Sequence, residues 1–487
     1  MTSVGRHAVV IGASISGLLA ARVLSEFYET VTVLERDRFP KADVPRRGVP
    51  QGRHPHGLLT RGRDVIEQLF PGWSDEIVAA GGISADYAHD VAWTGFGATL
   101  RSGPSGLVAV IASRPVMEGQ LRRRLLALSN VRAIEDCTVL GVVASDDNAA
   151  VKAVRAIIGD AGHEKLIPAD MIVDASGRDS LSPAWLKNLG YRRPQVERIE
   201  IGVGYTTRLY RRHPTDLGGK LGTLVSASAP NWRNGALLYH TEDCWIASIG
   251  GYLGDYAPAD QQQFAAFARS LPVRDIHDVV ARAEPLSDFT VCRHPANVRV
   301  GYEQLARFPK NYLVIGDALC SFNPVYQQGM AVAAQEAALL RQCLREGTTD
   351  LARRFFGGAA ALSDSPWAMA VSSDLRHPQV TGACSVTMKF LTWYIGKLYK
   401  AGRHDARLTD ALLQVRNLRA LLLSLLQPAI IGRVMRGNLG LRGGSRPELR
   451  PDDGAGPFGT ISPANRTDRT SRRSASRRSI SSRPDSP

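Results

Sequence analysis

The sequence predicts an α/β protein: a parallel-sheet, dinucleotide-binding unit, interrupted by a mostly antiparallel β-sheet and followed by C-terminal helices. Three segments carry that expectation. Val9-Val10-Ile11-Gly12-Ala13-Ser14-Ile15-Ser16-Gly17 leads through a helical run into Val31-Thr32-Val33-Leu34-Glu35. Asp170-Met171-Ile172-Val173-Asp174-Ala175-Ser176-Gly177 is a second apolar strand ending in a turn. Tyr312-Leu313-Val314-Ile315-Gly316-Asp317-Ala318 is a third, with Pro324 and Gly329 behind it. A glycine-bearing turn at the start and a Gly-Asp pair about three hundred residues later describe one site assembled from distant parts of the chain.

Taken in order, residues 8–11 read as a buried parallel strand, 16–27 as a helix and 30–34 as a second strand, a β-α-β unit. The Pro/Arg/His-rich segment 39–56 is a long loop, and loops of that length inside compact domains are usually functional. Helical periodicity marks 63–70 and 116–128, and strands are expected at 131–134, 139–143, 151–158 and 171–173. From 199 to 252 the pattern turns to β-type alternation, at 201–209, 221–227, 236–240 and 244–249. Asn234-Gly235 and Glu242-Asp243 are turn signals within it. The chain then returns through a strand at 312–315 and a helix at 329–345, and a last helical region covers 366–436. The expected division assigns 1–180 and 285–365 to the nucleotide-binding unit and 181–284 to the inserted sheet. The C-terminal helices take 366–440 and a basic tail 441–487.

A chain of 487 residues exceeds the roughly 250–300 that one core supports, so more than one domain is expected. The net charge of +14 invites a nucleic-acid reading. Much of it, however, is Arg466, Arg469, Arg472, Arg473, Arg477, Arg478 and Arg483, interleaved with Ser, Thr, Asn and Pro. Such a composition buries too little surface to fold, so these residues read as a disordered, solvated tail and no nucleic-acid partner is expected. Six cysteines without C-x-x-C spacing fit a reducing, cytoplasmic setting with no disulfide framework and no zinc site. Arg6 and the apolar run after it resemble a signal peptide, but the glycine spacing and the following strand favour the nucleotide turn. No run of about 18 apolar residues exists, so no spanning helix is expected. The apolar stretch 420–426 is a candidate for peripheral membrane contact, with packing against the main body favoured.

In a G-x-G-x-x-G turn the first glycine permits the tight strand-to-helix reversal and the second lets backbone approach a pyrophosphate. The third lets helix and strand pack closely. Gly12 and Gly17 take the first and third places; Ser14 takes the middle one, where its hydroxyl is itself a phosphate donor. The pyrophosphate then sits on the helix start at Ile15 and Ser16, where free N–H groups and the helix dipole favour anions. Glu35, about 23 residues after Gly12 and followed by Arg36, is placed to accept both ribose hydroxyls, which argues against a 2′-phosphate. Asp317 projects from the C-terminal edge of a strand, where ligands of α/β sheets bind, and is placed to accept a ribityl hydroxyl. Pro324 stiffens the loop that follows. Gly329 and Met330 open a helix whose dipole points at the pyrimidine end of an isoalloxazine.

As a set, Gly12-x-Ser14-x-x-Gly17, Asp174-Ala175-Ser176-Gly177 and Gly316-Asp317-Ala318-x5-Pro324-x4-Gly329 resemble the aromatic-hydroxylase type of FAD-dependent monooxygenase. Gln51-Gly52-Arg53-His54-Pro55-His56 and Ser321-Phe322-Asn323-Pro324-Val325-Tyr326 are most similar to bacterial enzymes that epoxidise polyene natural products. The resemblance spans roughly residues 8–345. It implies a glutathione-reductase-type FAD-binding domain, bound FAD, and Arg47 and Arg114 as further cofactor contacts. It also implies O2 as co-substrate and an apolar small-molecule substrate, oxygenated through a flavin C4a-hydroperoxide. Where the family's central motif reads Asp-Gly, this chain has Ser176-Gly177, and no second glycine-rich nucleotide fold is present. NAD(P)H is therefore expected as electron donor either directly or through a separate flavin reductase.

His54 and His56 are candidate loop residues beside a flavin; a metal role is disfavoured because no third ligand presents itself. Tyr205, Tyr239, Trp245 and Tyr252 are aromatics on predicted strands and candidates for an apolar substrate pocket, although strand aromatics more often fill a core. Three rival readings stand beside the monooxygenase: a flavin reductase of isoprenoid double bonds, a halogenase, and a flavoprotein fold kept as a non-catalytic subunit. An alkene needs no deprotonation, so no catalytic base is named.

Overall fold

The computed structural model describes residues 3–159, 162–383 and 385–440. The expected basic tail, 441–487, and Cys384 lie outside the described residues.

A five-stranded parallel sheet gathers the three motif-bearing strands side by side. Its order is Tyr312–Val314, Met171–Asp174, Gly5–Ile11, Tyr28–Leu34 and Val131–Ile134. The strands are short and apolar because both faces are covered, as in parallel sheets generally. The first strand pairs with Met171–Asp174 on one side, with Ile11 opposite Asp174, and with Tyr28–Leu34 on the other. Sequence-distant turns therefore open at the same edge. Helix Ile15–Leu24 packs on helix Gly329–Arg345 above this sheet, and a small antiparallel sheet (Cys137–Ala144, Val151–Ile158, Glu164–Pro168) extends its flank.

An eight-stranded, mostly antiparallel sheet forms the second layer. Its order is Cys320–Ser321, Thr290–Gly301, Gln195–Arg211, Cys244–Tyr252, Asn234–Thr241, Gly222–Val225, Val91–Gly95 and Ala98–Thr99. Only four of these strands lie in the segment 181–284; the others come from 91–99 and 290–321. The sheet is built by chain that leaves and re-enters it, which a division into consecutive segments cannot express.

Two local expectations are corrected. Asn234-Gly235 is not a turn: it begins the strand Asn234–Thr241 and pairs with Gly250 and Ile249. Gly235 is glycine for packing, since an added Cβ would lie 2.7 Å from Ile276 Cδ1. Glu242-Asp243 does make the reversal between Asn234–Thr241 and Cys244–Tyr252. The C-terminal helices do not start at 366 either: one helix runs Leu351–Asp374 with Pro366 inside it. Proline reads as a helix start from sequence because it lacks an N–H, but burial of Phe355, Phe356, Trp367 and Val371 holds this helix across it. Beyond it lie Val386–Gly402, Ala406–Arg416 and Pro428–Asn438. The stretch 420–426 packs only in part: Leu425 is buried, while Leu421 and Leu423 are exposed.

Candidate active site

The first strand ends at Gly12, whose φ of +99° is left-handed backbone and whose added Cβ would lie 2.6 Å from the Ala175 carbonyl oxygen. Gly17 lies one turn into the helix, where an added Cβ would overlap the Gly12 carbonyl oxygen. The helix Ile15–Leu24 has Ser14 at its N-cap but no side-chain cap, so its first N–H groups are left for another partner. The Ser14 hydroxyl instead donates to Glu118 Oε1 at 2.5 Å and accepts from Arg114 Nη2 at 2.8 Å. Arg114 opens its own helix, Arg114–Leu126, which Ser113 caps, and pairs with Glu118 at 2.8 Å.

Glu35 is buried at the end of the second strand. It accepts the Ala13 N–H at 2.9 Å and pairs with Arg46 at 2.9 Å. Arg46 also donates to the Ala13 carbonyl at 3.0 Å and reaches Asp37 at 3.1 Å. Arg46 and Glu118 thus organise the first turn, and neither was singled out from sequence. Arg46 sits in the long loop 39–56 without periodicity to mark it. Glu118, one helical turn after Arg114, carried the only available signal.

Gly316 (φ +71°) brings the third motif onto the first turn: its added Cβ would meet Ser16 Oγ at 2.5 Å. The Gly316 N–H donates to Glu336 Oε2 at 2.7 Å. Glu336 is fully buried, and burial pushes its carboxyl up to about 8, so it is mostly protonated at neutral pH. Asp317 is exposed, but to an internal cavity; surrounding protein raises its pKa, while Arg114 and Arg178 oppose the rise. Gly329, at the start of Gly329–Arg345, lies beside it: an added Cβ would be 3.8 Å from Asp317 Oδ1. This helix also lacks a side-chain cap, and the buried Gln328 Oε1 beside it has no hydrogen-bond partner.

The loop carrying Pro324 is anchored from behind. Asp374, fully buried at the end of its helix, accepts from Tyr252 OH (2.8 Å), Tyr326 OH (2.8 Å), Asn323 Nδ2 (2.9 Å) and Asn297 Nδ2 (2.7 Å). Burial raises its pKa and these four donors lower it. Tyr252 belongs to this anchor.

These segments enclose a cavity of ≈ 370 Å³, within the ordinary range for small-molecule sites. One wall holds Ser14, Ile15, Ser16, Arg36, Arg47, Arg114, Asp317, Pro324, Gly329 and Met330. The opposite wall is the large sheet, with Tyr205, Leu224, Val225, Ala236 and Ser248. His54, His56, Arg178 and His294 also line it. His54 bonds Thr207 Oγ1 at 2.7 Å and sits edge-on to Tyr205, ring centroids 4.7 Å apart. Burial, then Arg53, lowers His54 to about 4; burial, then Arg114, lowers His56 to about 3; burial, then Arg178, lowers His294 to about 3. All three are neutral imidazoles at pH 7. Arg178 is donor-only and lies 2.9 Å from His294 Nδ1, so that nitrogen accepts and Nε2 carries the proton, buried without a partner.

Tyr239 and Trp245 do not line the cavity. Strand side chains alternate between faces, and each stands three residues from a cavity-lining neighbour, Ala236 or Ser248. Trp245 is fully buried and donates to Asp216 at 2.8 Å; Tyr239 lies under Arg212. Asp174 is turned away as well, accepting from the Ser176 N–H at 2.9 Å and from the Ser180 and Ser182 hydroxyls. Arg178 and His294 were missed from sequence; Arg178 directly follows the Asp174–Gly177 motif, whereas nothing in the pattern marks His294.

No protein-family model matches the chain. Protein Rv3254 of Mycobacterium tuberculosis (strain ATCC 25618 / H37Rv) is 34% identical over 397 residues, 77% of this chain and 81% of that protein. The chain belongs to the family of protein Rv3254. Among solved structures, PqsL of Pseudomonas aeruginosa, described as a probable FAD-dependent monooxygenase, matches with a TM-score of 0.58 at 17% identity, covering 76% of this chain and 97% of PqsL. The flavin-dependent brominase Bmp2 matches with a TM-score of 0.63 at 14% identity, covering 90% of this chain and all of Bmp2. The fold is that of FAD-dependent monooxygenases and flavin-dependent halogenases, as the three motifs imply.

Proposed function

We propose that this protein is an FAD-dependent monooxygenase that delivers one oxygen atom of O2 to an apolar, electron-rich substrate, by epoxidation of an alkene. The observation that carries the reading is the two-sided cavity. Two uncapped helix starts and a cavity-facing carboxylate meet the apolar wall of the large sheet within it.

The residues present fit FAD. The uncapped start at Ile15–Ser16, with Ser14, would hold the pyrophosphate, and Arg36 and Arg47 add positive charge there. Glu35 would accept ribose hydroxyls in exchange for its Arg46 contact. Asp317 would accept a ribityl hydroxyl. The Gly329–Met330 start would face the pyrimidine edge, with the unpartnered Gln328 Oε1 beside it. When bound and reduced, the flavin supplies dioxygen activation and oxygen transfer.

The chain's own contribution is position and dryness. Leu224, Val225, Ala236, Phe322 and Met330 line the cavity and exclude water from the reacting atoms. Deprotonating a phenol needs a base near its working pH, and imidazoles held at about 3 to 4 are too weak for it. An alkene makes no such demand, which favours epoxidation over phenol hydroxylation. Among the described residues no lysine lines the cavity, unlike the pocket expected of a halogenase. The second oxygen atom leaves as water and requires two electrons, from NAD(P)H directly or through a flavin reductase. Gly250-Gly251-Tyr252-Leu253-Gly254 is not a nucleotide turn for that donor: its first three residues end the strand Cys244–Tyr252, and the next helix begins only at Gln261.

The test is oxygen uptake with NADH or NADPH, with and without added flavin reductase, followed by mass analysis of polyene and phenol products. Substrate-dependent uptake and one added oxygen on a polyene are expected. Gain of two hydrogens without uptake would identify a double-bond reductase, oxygen on the phenol alone a hydroxylase, and neither product a non-catalytic protein.

A further inference from the structure

The C-terminal helices carry a surface that the flavin cavity does not use, and we propose that this surface, centred on helix Val386–Gly402, docks the protein on an anionic lipid bilayer. The inference is independent of the flavin chemistry.

Of the sixteen exposed large hydrophobic residues among the described residues, seven fall between 386 and 439. On the central helix Val386 (85% exposed), Phe390 and Trp393 (57%) follow at i, i+4 and i+7, one stripe facing away from the core. Leu421, Leu423, Met435 and Leu439 are exposed on the neighbouring elements. These belong to one packed layer: Tyr394 OH donates to the Leu425 carbonyl at 2.8 Å, and Asn438 Nδ2 to the Lys397 carbonyl at 2.9 Å.

Positive charge flanks the stripe. An open groove of ≈ 750 Å³ beside it is lined by Arg376, Lys389, Lys397, Lys400 and Arg403, and no carboxylate lines it among the described residues. From 375 to 440 the chain holds ten Lys or Arg against two acids, Asp405 and Asp410. Asp405 pairs with Arg433 and Asp410 accepts from Gln414, so neither serves the groove. Aromatic and aliphatic side chains beside lysines are what an interfacial helix presents to headgroups and upper acyl chains. Among the described residues no helix is long and apolar enough to cross a membrane, so the layer would lie on the bilayer. Charge also selects the occupant. A second copy would bring cations against cations. The segment 441–487, with ten Arg against five acids, would be repelled in the same way.

The test is co-sedimentation of the full chain with phosphatidylcholine vesicles and with mixed phosphatidylcholine–phosphatidylglycerol vesicles. Binding to the mixed vesicles, weakening as salt rises, is expected. Replacing Lys389, Lys397 and Lys400 together by Gln should weaken it on the order of 100-fold, roughly fivefold per lysine. Phe390→Ser and Trp393→Ser should each cost roughly tenfold or more. Lys389, Lys400, Phe390 and Trp393 are exposed and Lys397 is half-buried, and if the apolar variants misfold the lysine variant alone decides. A protein that stays in the supernatant with both vesicles overturns the proposal. So does binding that the lysine variant leaves unchanged, or a stable dimer that the variants dissociate. Flavin content measured on the same samples keeps this outcome separate from that of the proposed activity.

Discussion

Gly17 has no room for a side chain, because the position of its Cβ overlaps the Gly12 carbonyl. Gly17→Val should push the first helix off its strand, spoil the N–H groups at its start and abolish flavin binding. Absorption near ~450 nm that survives gel filtration of the variant would contradict this. Asp317 stands free at the cavity, so Asp317→Ala should cost FAD about 1.5–3 kcal/mol, roughly ten- to more than a hundredfold in Kd by fluorescence titration. Glu336 makes a pH prediction. Its folded pKa of about 8 lies above the 4.5 of a free carboxyl, so the folded state holds the extra proton. That stability is fully present below about 4.5 and is lost as pH rises through 8. Between about pH 6.5 and 8 unfolding free energy should fall by at most about 1.4 kcal/mol per pH unit. Glu336→Gln keeps an acceptor for Gly316 and should flatten that slope in denaturant titrations. The lowered histidines act elsewhere, losing stability only as pH drops below about 6.5.

The element whose placement matters most is the Asn323–Gln328 turn, which lines the cavity and leads into the Gly329–Arg345 helix. Asn323 caps it by accepting the Val325 N–H at 3.2 Å, and Asp374 ties it to two sheet strands through Asn323, Tyr326, Tyr252 and Asn297. Asp374→Asn puts an amide donor among donors, leaving at least one buried group unsatisfied at a cost of about 1–3 kcal/mol. A lower Tm and weaker FAD binding should appear together. A variant with lower Tm but unchanged FAD affinity would show that the anchor does not position the turn. Asp374 falls inside the helical region expected over 366–436, but no local pattern marks one aspartate there as an anchor. What makes it important is the burial of four partners from other elements.

At the scale of the molecule, two sheets share one cavity, so ligand binding and global stability are linked. FAD at about 100 times its Kd should add about 2.7 kcal/mol of stability and raise Tm, read by thermal denaturation with and without cofactor. An unchanged Tm would mean that FAD does not bind the folded state. The strand–turn–helix at Gly12–Gly17, the Gly-Asp strand end and the helix from Gly329 were legible in the sequence, because each is set by local rules: apolar period, a residue with left-handed backbone, a helix start. Tyr205, His54 and His56, read from a strand aromatic and a long loop, line the cavity. Tyr239 and Trp245 were placed on the right strands but the wrong face. Which face of a strand meets a cavity and which a core is decided by pairing across the sheet, with Ala236 and Ser248 turned one way and their neighbours the other. The same holds for Arg46 at Glu35, Arg178 at His294, and the Asp374 cluster. Each joins residues scores of positions or more apart in sequence or from separate elements, and such contacts come from packing that no local pattern encodes. The sequence by itself determined the nucleotide-type turns and the α/β class, a parallel-sheet unit with a mostly antiparallel sheet inserted. The tertiary structure alone decided which side chains enclose the cavity and what charge they carry, because burial and proximity belong to the folded chain.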